Sequence, residues 1–426
     1  MVIRIHMPKS LSEELLKIMT SELGDMGQFI IKKQCKDLGL DPDSIRPEDL
    51  PKLASGLSAS MKFFGTDKAK NLYNKILKLK DLEQMVEGET DSAKKLEDLI
   101  HLASASSNAG DWDAAGRHYD DALELSKKLG DKVTQGRIHR SIAGHVLRNG
   151  DYKTADKHLK ESMAISMKLD NPKDMIETLR SLGNAHWRRG EYEKALGFLE
   201  DALARSQEMK DDEAMAQVYM AMANVYDEKG DYDTGIGYAK QSLAFFEKAG
   251  KMNNVATVLN NIGVAYARME NYKESVKYYE RCIKVSREAN YVLMNAWAMF
   301  NAGEDYAKLG QFEKSIKYCE ESLSIFKKMK DSLGMSGALM SFAIAYQLKE
   351  DYAKSFDYFK KTIKIREELG MPYRLADACY ECGLMLRKKG DKESAGKYLE
   401  RALRIFTDIN SAKMVERTSK ALESLK

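Results

Sequence analysis

Apolar residues recur along most of this chain at spacings of three and four, which on a helix of about 3.6 residues per turn gathers them into one buried stripe. Around residue 180 the stripe holds Leu179, Leu182, Gly183 and His186. Gly190 closes that helix, because glycine takes left-handed backbone angles at little cost, and Tyr192, Ala195, Leu199, Ala202 and Leu203 begin another stripe. The same turn returns at Gly110-Asp111-Trp112, Gly150-Asp151-Tyr152, Gly190-Glu191-Tyr192, Gly230-Asp231-Tyr232, Glu270-Asn271-Tyr272, Gly310-Gln311-Phe312, Glu350-Asp351-Tyr352 and Gly390-Asp391-Lys392, a step of 40 residues without insertion. A looser turn follows each pair, as at Gly130-Asp131-Lys132, or carries Pro172 or Pro372, where a proline gives up only a donor that a first helical turn leaves unpaired anyway. The pattern predicts an all-α chain of eight helix pairs.

Several columns of the repeat never hold a large residue. Seven positions before the turn stand Ala103, Ala143, Gly183, Ala223, Gly263, Gly303, Ala343 and Gly383. Five positions after it come Ala115, Ala155, Ala195, Gly235, Ser275, Ser315, Ser355 and Ala395, and twelve after it Ala122, Ser162, Ala202, Ser242, Cys282, Ser322, Thr362 and Ala402. Small side chains at fixed places let two helices cross closely, and large neighbours such as Tyr119, Leu159, Leu199, Tyr279 and Phe359 fill the space between the crossings.

These residues resemble the tetratricopeptide repeat family over about Leu96 to the end of the chain. The 40-residue unit with Ser181-Leu182-Gly183-Asn184 and the Gly130-Asp131-Lys132 link is similar to the Leu-Gly-Asn adaptor subgroup, although only the third repeat carries the whole triplet. The resemblance implies a right-handed superhelical solenoid of eight helix pairs whose concave face holds extended peptides, and the departure leaves the partner's identity open.

The two ends break the period. Ser411 to Lys426 reads as one more first-type helix with Leu422 in an apolar column and Glu423 where every repeat has a small residue, as a solenoid's polar cap requires. Before the array, Leu11–Met19, Met26–Leu38, Leu50–Phe64 and Lys68–Met85 carry helical spacing, separated by Gly24, Asp41-Pro42 and Gly65. The expected division is a small helical bundle over residues 1–90, joined at Glu87-Gly88-Glu89-Thr90, eight repeats over 91–410 and a capping helix over 411–426. Met7 leads into a helix start at Ser10–Glu13, which makes residues 1–6 a candidate leader or mis-assigned start.

Composition narrows the function. Lys plus Arg number 68 against 65 Asp plus Glu, a net +3, so no overall charge draws the chain to nucleic acid or anionic membrane. No apolar run approaches the roughly 18 residues of a membrane span or the core of a secretory signal, and five scattered cysteines suit a reducing compartment; a cytoplasmic location follows as an expectation. Six of the seven histidines lie from His101 to His186, yet His139 shares a column with Leu99, Leu179 and Leu259, and His186 one with Tyr226, Tyr266 and Tyr306. Packing or surface roles suit them better than metal ligation, and Cys379 and Cys382, a CxxC without a second pair, fall in helix-core columns. No phosphate loop, nucleophile elbow or paired catalytic carboxylate stands out, so neither cofactor nor catalytic residue is expected in the repeats; an activity assembled in the N-terminal helices stays open.

What packing leaves unexplained lies on the first helix of each pair. By the resemblance, positions spaced three and four apart line the peptide groove: Arg137, Arg140 and Arg148, then Arg180, Asn184, Trp187 and Arg188, then Gln217, Asn224, Asn260, Asn261, Trp297 and Asn301. Residues 131–190 hold 12 Lys plus Arg against 7 Asp plus Glu, whereas 211–250 hold 3 against 8, so the early repeats would attract an acidic segment. The expected function is a scaffold or adaptor that holds an extended, acidic or C-terminal peptide of a protein partner. Two rivals remain: a peptide-sensing regulator that acts on a signalling protein through the N-terminal helices, and an RNA-binding repeat protein, against which the neutral balance and acidic fourth repeat weigh.

Overall fold

The structure, a computed structural model, describes residues 11–23, 26–42, 45–46, 49–61, 72, 75–76, 91–109, 111–148 and 150–425. Among these residues there are α-helices and no strand. Three come first: α1 (Leu11–Leu23), α2 (Met26–Leu38) and α3 (Leu50–Met61). The pairs follow: α4 (Ser92–Ala109) with α5 (Trp112–Lys128), α6 (Lys132–Arg148) with α7 (Tyr152–Lys168), α8 (Pro172–Arg188) with α9 (Tyr192–Glu208), and α10 (Asp212–Lys229) with α11 (Tyr232–Lys248). After them come α12 (Met252–Arg268) with α13 (Tyr272–Glu288), α14 (Val292–Lys308) with α15 (Phe312–Lys328), α16 (Ser332–Leu348) with α17 (Tyr352–Glu368), and α18 (Pro372–Lys389) with α19 (Lys392–Asp408). The last helix is α20 (Ala412–Glu423). Of the expected helix Lys68–Met85 residues 72, 75 and 76 are described and helical; the joint at Glu87–Thr90, the start at Met7 and Ser10, and the turn glycines Gly24, Gly65 and Gly110 lie outside the described residues.

Each described reversal passes through one left-handed residue. Gly150, Gly190, Gly230, Gly310 and Gly390 take φ between 74° and 91°, angles that cost glycine little. Where the turn lacks glycine the backbone does the same: Glu270 sits at φ 59° and Glu350 at φ 65°. The next residue caps the following helix; Asp151 accepts from the Thr154 amide at 3.0 Å and Asp391 from that of Ser394 at 3.0 Å.

The small columns are contact points. A Cβ on Gly183 would stand 2.7 Å from Leu199, one on Gly263 2.6 Å from the Tyr279 ring, and one on Gly383 2.6 Å from Leu399. Hydroxyls in these columns satisfy carbonyls that close packing would otherwise strand: Ser242 donates to Ala216 and Ser322 to Ala296 at 2.8 Å, as does Ser355 to Ala343. Around them a ring pair recurs from repeat to repeat, His186–Phe198, Tyr226–Tyr238, Tyr266–Tyr278, Tyr306–Tyr318 and Tyr346–Tyr358, with centroids 5.1 to 5.7 Å apart.

The chain divides into two compact units, one running to Ala249 together with Lys328–Lys330, the other comprising Gly250–Lys327 and Asp331–Lys426. In the first, α3 packs on α4 ahead of the helix pairs. In the second, α20 lays Met414, Thr418 and Ala421 on α19 and leaves Glu423 exposed. Cys379 and Cys382 are fully buried, and burial pushes both thiols up, which removes the thiolate that redox or metal chemistry needs.

Candidate peptide-binding face

In the first unit α6, α8 and α10 are successive first helices, and each touches the next. Their register places the expected ligand-facing side chains on neighbouring helices, but the side chains do different things. Arg137 is bonded to Glu97 of α4, and Arg180 to Glu177 one turn back on α8. Arg140 reaches from α6 to Asp174 in the first turn of α8 at 2.5 Å and to the Ser162 hydroxyl at 3.4 Å. These three arginines already have carboxylates.

Arg148, in the last turn of α6, donates to the Ser107 carbonyl at 3.3 Å and hydroxyl at 3.1 Å. Burial lowers its pKa, and the charge of Arg188 lowers it further. Arg188, in the last turn of α8, has no carboxylate within ion-pair distance among the described residues, and its guanidinium lies 5.8 Å from the centre of the Trp187 ring. Trp187 is half-buried against the core that holds Ile176 and Leu179. The half-buried side-chain amides of Asn184 on α8 and of Gln217 and Asn224 on α10 make no hydrogen bond among the described residues.

In the second unit the expected residues are drawn more into the fold itself. Asn301 of α14 donates to Asn260 of α12 at 3.2 Å, while Asn261 makes no bond among the described residues. Trp297 packs on Phe300 and Phe326, with ring centroids 5.1 and 6.1 Å away, and its indole N–H is buried without an acceptor among the described residues. Nearby Asp305, 3% exposed, accepts from Ser275 at 2.6 Å and lies 3.6 Å from Lys308, which also pairs with Glu304 at 2.9 Å.

Sequence reasoning missed the counter-charges. Glu177 and Arg180 are three apart on one helix, and Glu97 and Arg137 occupy one column of successive repeats, so both pairs could have been read from spacing. Asp174 lies 34 residues from Arg140, and nothing in helical periodicity joins them. The histidines are dispersed: His139 faces His158, Nδ1 to Nδ1, at 2.8 Å, His145 contacts Ser107 at 3.0 Å, and His186 contacts Glu191 at 2.7 Å. Among the described residues no three His, Cys, Asp or Glu side chains gather as metal ligands, and no helix is long and apolar enough to cross a membrane.

Stacked helix pairs with small crossing columns and a polar first-helix face define an α-helical repeat protein. The sequence profile of the tetratricopeptide repeat matches residues 96–168, 135–208, 174–248, 254–328 and 335–408, and the chain belongs to that family. No curated protein matches the sequence. Among solved structures it is similar to a signal transduction ATPase with numerous domains that carries a tetratricopeptide repeat sensor, from Pyrococcus horikoshii, with TM-score 0.58 and 16% identity over 82% of this chain. The similarity spans 55% of that longer protein. It is also similar to aspartyl phosphate phosphatase F from Bacillus subtilis, with TM-score 0.56, 13% identity, and 85% of this chain and 94% of that one covered.

Proposed function

We propose that this chain is a non-catalytic scaffold or adaptor that holds an extended, acidic or C-terminal peptide of a protein partner along the first-helix face, with α6, α8 and α10 making the main contacts. One observation carries the reading. Asn184, Gln217 and Asn224 present amides with no partner among the described residues on successive first helices, beside Arg188, which has no carboxylate. Amides can bond a peptide backbone through both donor and acceptor, and an arginine fork supplies charge-assisted recognition of an acidic group. In this reading residues 91–410 form the binding array, 411–426 cap it, and 1–90 serve a separate role.

The test is affinity selection from a peptide library with the full chain. Asn184→Ala, Gln217→Ala and Asn224→Ala together should remove most selected binding, whereas the Arg180→Ala change expected from sequence to matter should have a smaller effect, because Arg180 already serves Glu177. Selection unchanged by the triple substitution overturns the assignment. A second reading is a peptide-sensing regulator that acts through α1–α3. It is favoured by the fold likeness to a protein named as carrying a repeat sensor and to one named a phosphatase of aspartyl phosphate, the latter over 85% of this chain. It predicts that removal of residues 1–90 leaves peptide binding intact and abolishes control of a partner.

A further inference from the structure

We propose that the end of the first two helix pairs where Leu129, Val133, Met167 and Leu169 lie docks an amphipathic helix of a partner protein, one whose apolar stripe is bordered by carboxylates. Leu129 follows α5, Val133 sits in the first turn of α6, Met167 in the last turn of α7, and Leu169 follows α7. Contacts hold these places together: the Gln135 amide of α6 donates to the Ser126 carbonyl of α5 at 3.0 Å, and a Cβ on Gly136 would stand 3.5 Å from Ile165 of α7. In chain order the four side chains are 44%, 51%, 63% and 40% exposed. A single exposed apolar residue needs no explanation, but four at one end of neighbouring helices form a patch. Packing does not ask for them. The position of Met167 is polar in every other repeat, from Lys127 to Thr407, and that of Val133 is Lys173 in the next repeat.

The chain itself supplies a precedent for a helix at this edge. Leu129 and Leu169 share a column with Met329, which is 2% exposed, and Lys330 beside it donates to the Ser21 carbonyl of α1 at 2.7 Å. Lys328–Lys330 belong to the same compact unit as α1, whose apolar stripe buries Leu15 and Met19. There a helix lies against the turn; at Leu129 and Leu169 the side chains stay exposed. Charge around the patch sets the partner's flanks. Lys127, Lys132, Lys168 and Lys173 are exposed and form no ion pair among the described residues, Lys132 being bonded to the Gln135 side-chain oxygen. Lys128 is paired with Glu124 at 2.6 Å, Asp131 caps α6 and Asp174 holds Arg140, which leaves Asp170 to offset four cations. Carboxylates beside the partner's stripe pair with these lysines and fix its orientation, while burial of the methionine, valine and leucines supplies the affinity.

The experiment titrates the full chain against three fluorescent peptides of about twenty residues, the length of an ordinary surface helix. One carries a leucine stripe at helical spacing bordered by glutamates, one the same stripe bordered by lysines, and one the glutamate form with its order scrambled. The glutamate helix should bind at least about tenfold more tightly than either other peptide. Met167→Lys, which places there the residue of position 127, should weaken it at least about tenfold, the scale of one apolar side chain left out of an interface. Lys168→Glu with Lys173→Glu should turn the preference toward the lysine helix, and Met252→Lys, at an apolar side chain 43% exposed in the second unit, should change nothing. All these side chains are exposed, so helical circular dichroism and melting temperature should hold in each variant. No peptide bound, equal binding of the three, or binding undiminished in Met167→Lys would overturn the proposal. So would displacement of the helix by phosphatidylserine vesicles, or a chain dimer that Met167→Lys dissolves, which would give the patch to a membrane or to a second copy. The inference is independent of the peptide-binding reading: Asn184→Ala, Gln217→Ala and Asn224→Ala together should leave the glutamate helix bound, and its loss there would place the helix on the first-helix face instead.

Discussion

Arg140 of α6 is joined to Asp174 of α8 by an ion pair of 2.5 Å in which both side chains are largely buried, 14% and 17% exposed. Asp174 also accepts from the Asn171 side chain at 2.8 Å, so the pair is anchored to the start of α8. An arginine placed by its column among the ligand contacts thus ties one repeat to the next.

This relationship predicts a stability effect without a binding effect. A double-mutant cycle of Arg140→Ala with Asp174→Ala should give a coupling of about 1 kcal/mol in urea unfolding, the upper end for pairs that retain some solvent. Peptide affinity should follow Asn184→Ala and not Arg140→Ala. A zero coupling would show the pair to be incidental.

The left-handed turns predict where the array can be stabilised. Glu350 holds φ 65° at a position that glycine fills in six other repeats, and a Cβ in that conformation costs about 1–2 kcal/mol, partly offset by the greater freedom of glycine when unfolded. Glu350→Gly should therefore raise stability by roughly 0.5–1 kcal/mol. Chemical denaturation decides it, and a destabilised variant would mean that Glu350 makes a compensating contact.

His139 predicts sensitivity to acid. Burial, reinforced by the neighbouring His158, pulls its pKa down to about 4, and the charges facing the pair are Glu161, Asp120, Lys127 and Lys157. The unfolded chain then binds this proton below about pH 6.5 while the folded chain resists it until about pH 4, so stability falls as pH drops through that window. His139→Leu, which restores the residue of the equivalent positions 99, 179 and 259, should remove roughly 2–3 kcal/mol of that fall. An unchanged pH profile would show that the pair is already open in solution.

Asp305 predicts the opposite sign in the second unit. Burial pushes its carboxyl up to about 6 against the downward pull of Ser275 and Lys308. The folded chain holds this proton more firmly than the unfolded one, so stability declines as pH rises from about 4 to 6. Asp305→Asn, able to accept from Ser275 while Lys308 keeps Glu304, should flatten that decline and stabilise the chain at pH 7 by roughly 1–3 kcal/mol. Lower stability at pH 7 would show that the Lys308 attraction outweighs burial.

The repeat was legible because its determinants are local and periodic. Apolar stripes at helical spacing, a left-handed residue and often a capping Asp or Asn at the turns, and columns of small residues are properties of the order of residues, and eightfold repetition makes them visible from one chain. The same reading found which first-helix positions share a face, but it could not tell occupied arginines from available ones. Arg140 and Arg188 look alike in sequence; one is bonded to Asp174 and the other has no carboxylate among the described residues. Likewise Trp187 and Trp297 both lie on first helices, yet Trp297 packs on Phe300 and Phe326. Helical periodicity is set within a few residues, whereas the partner of a charge or a ring is set by which helices touch, and only the tertiary structure decides that.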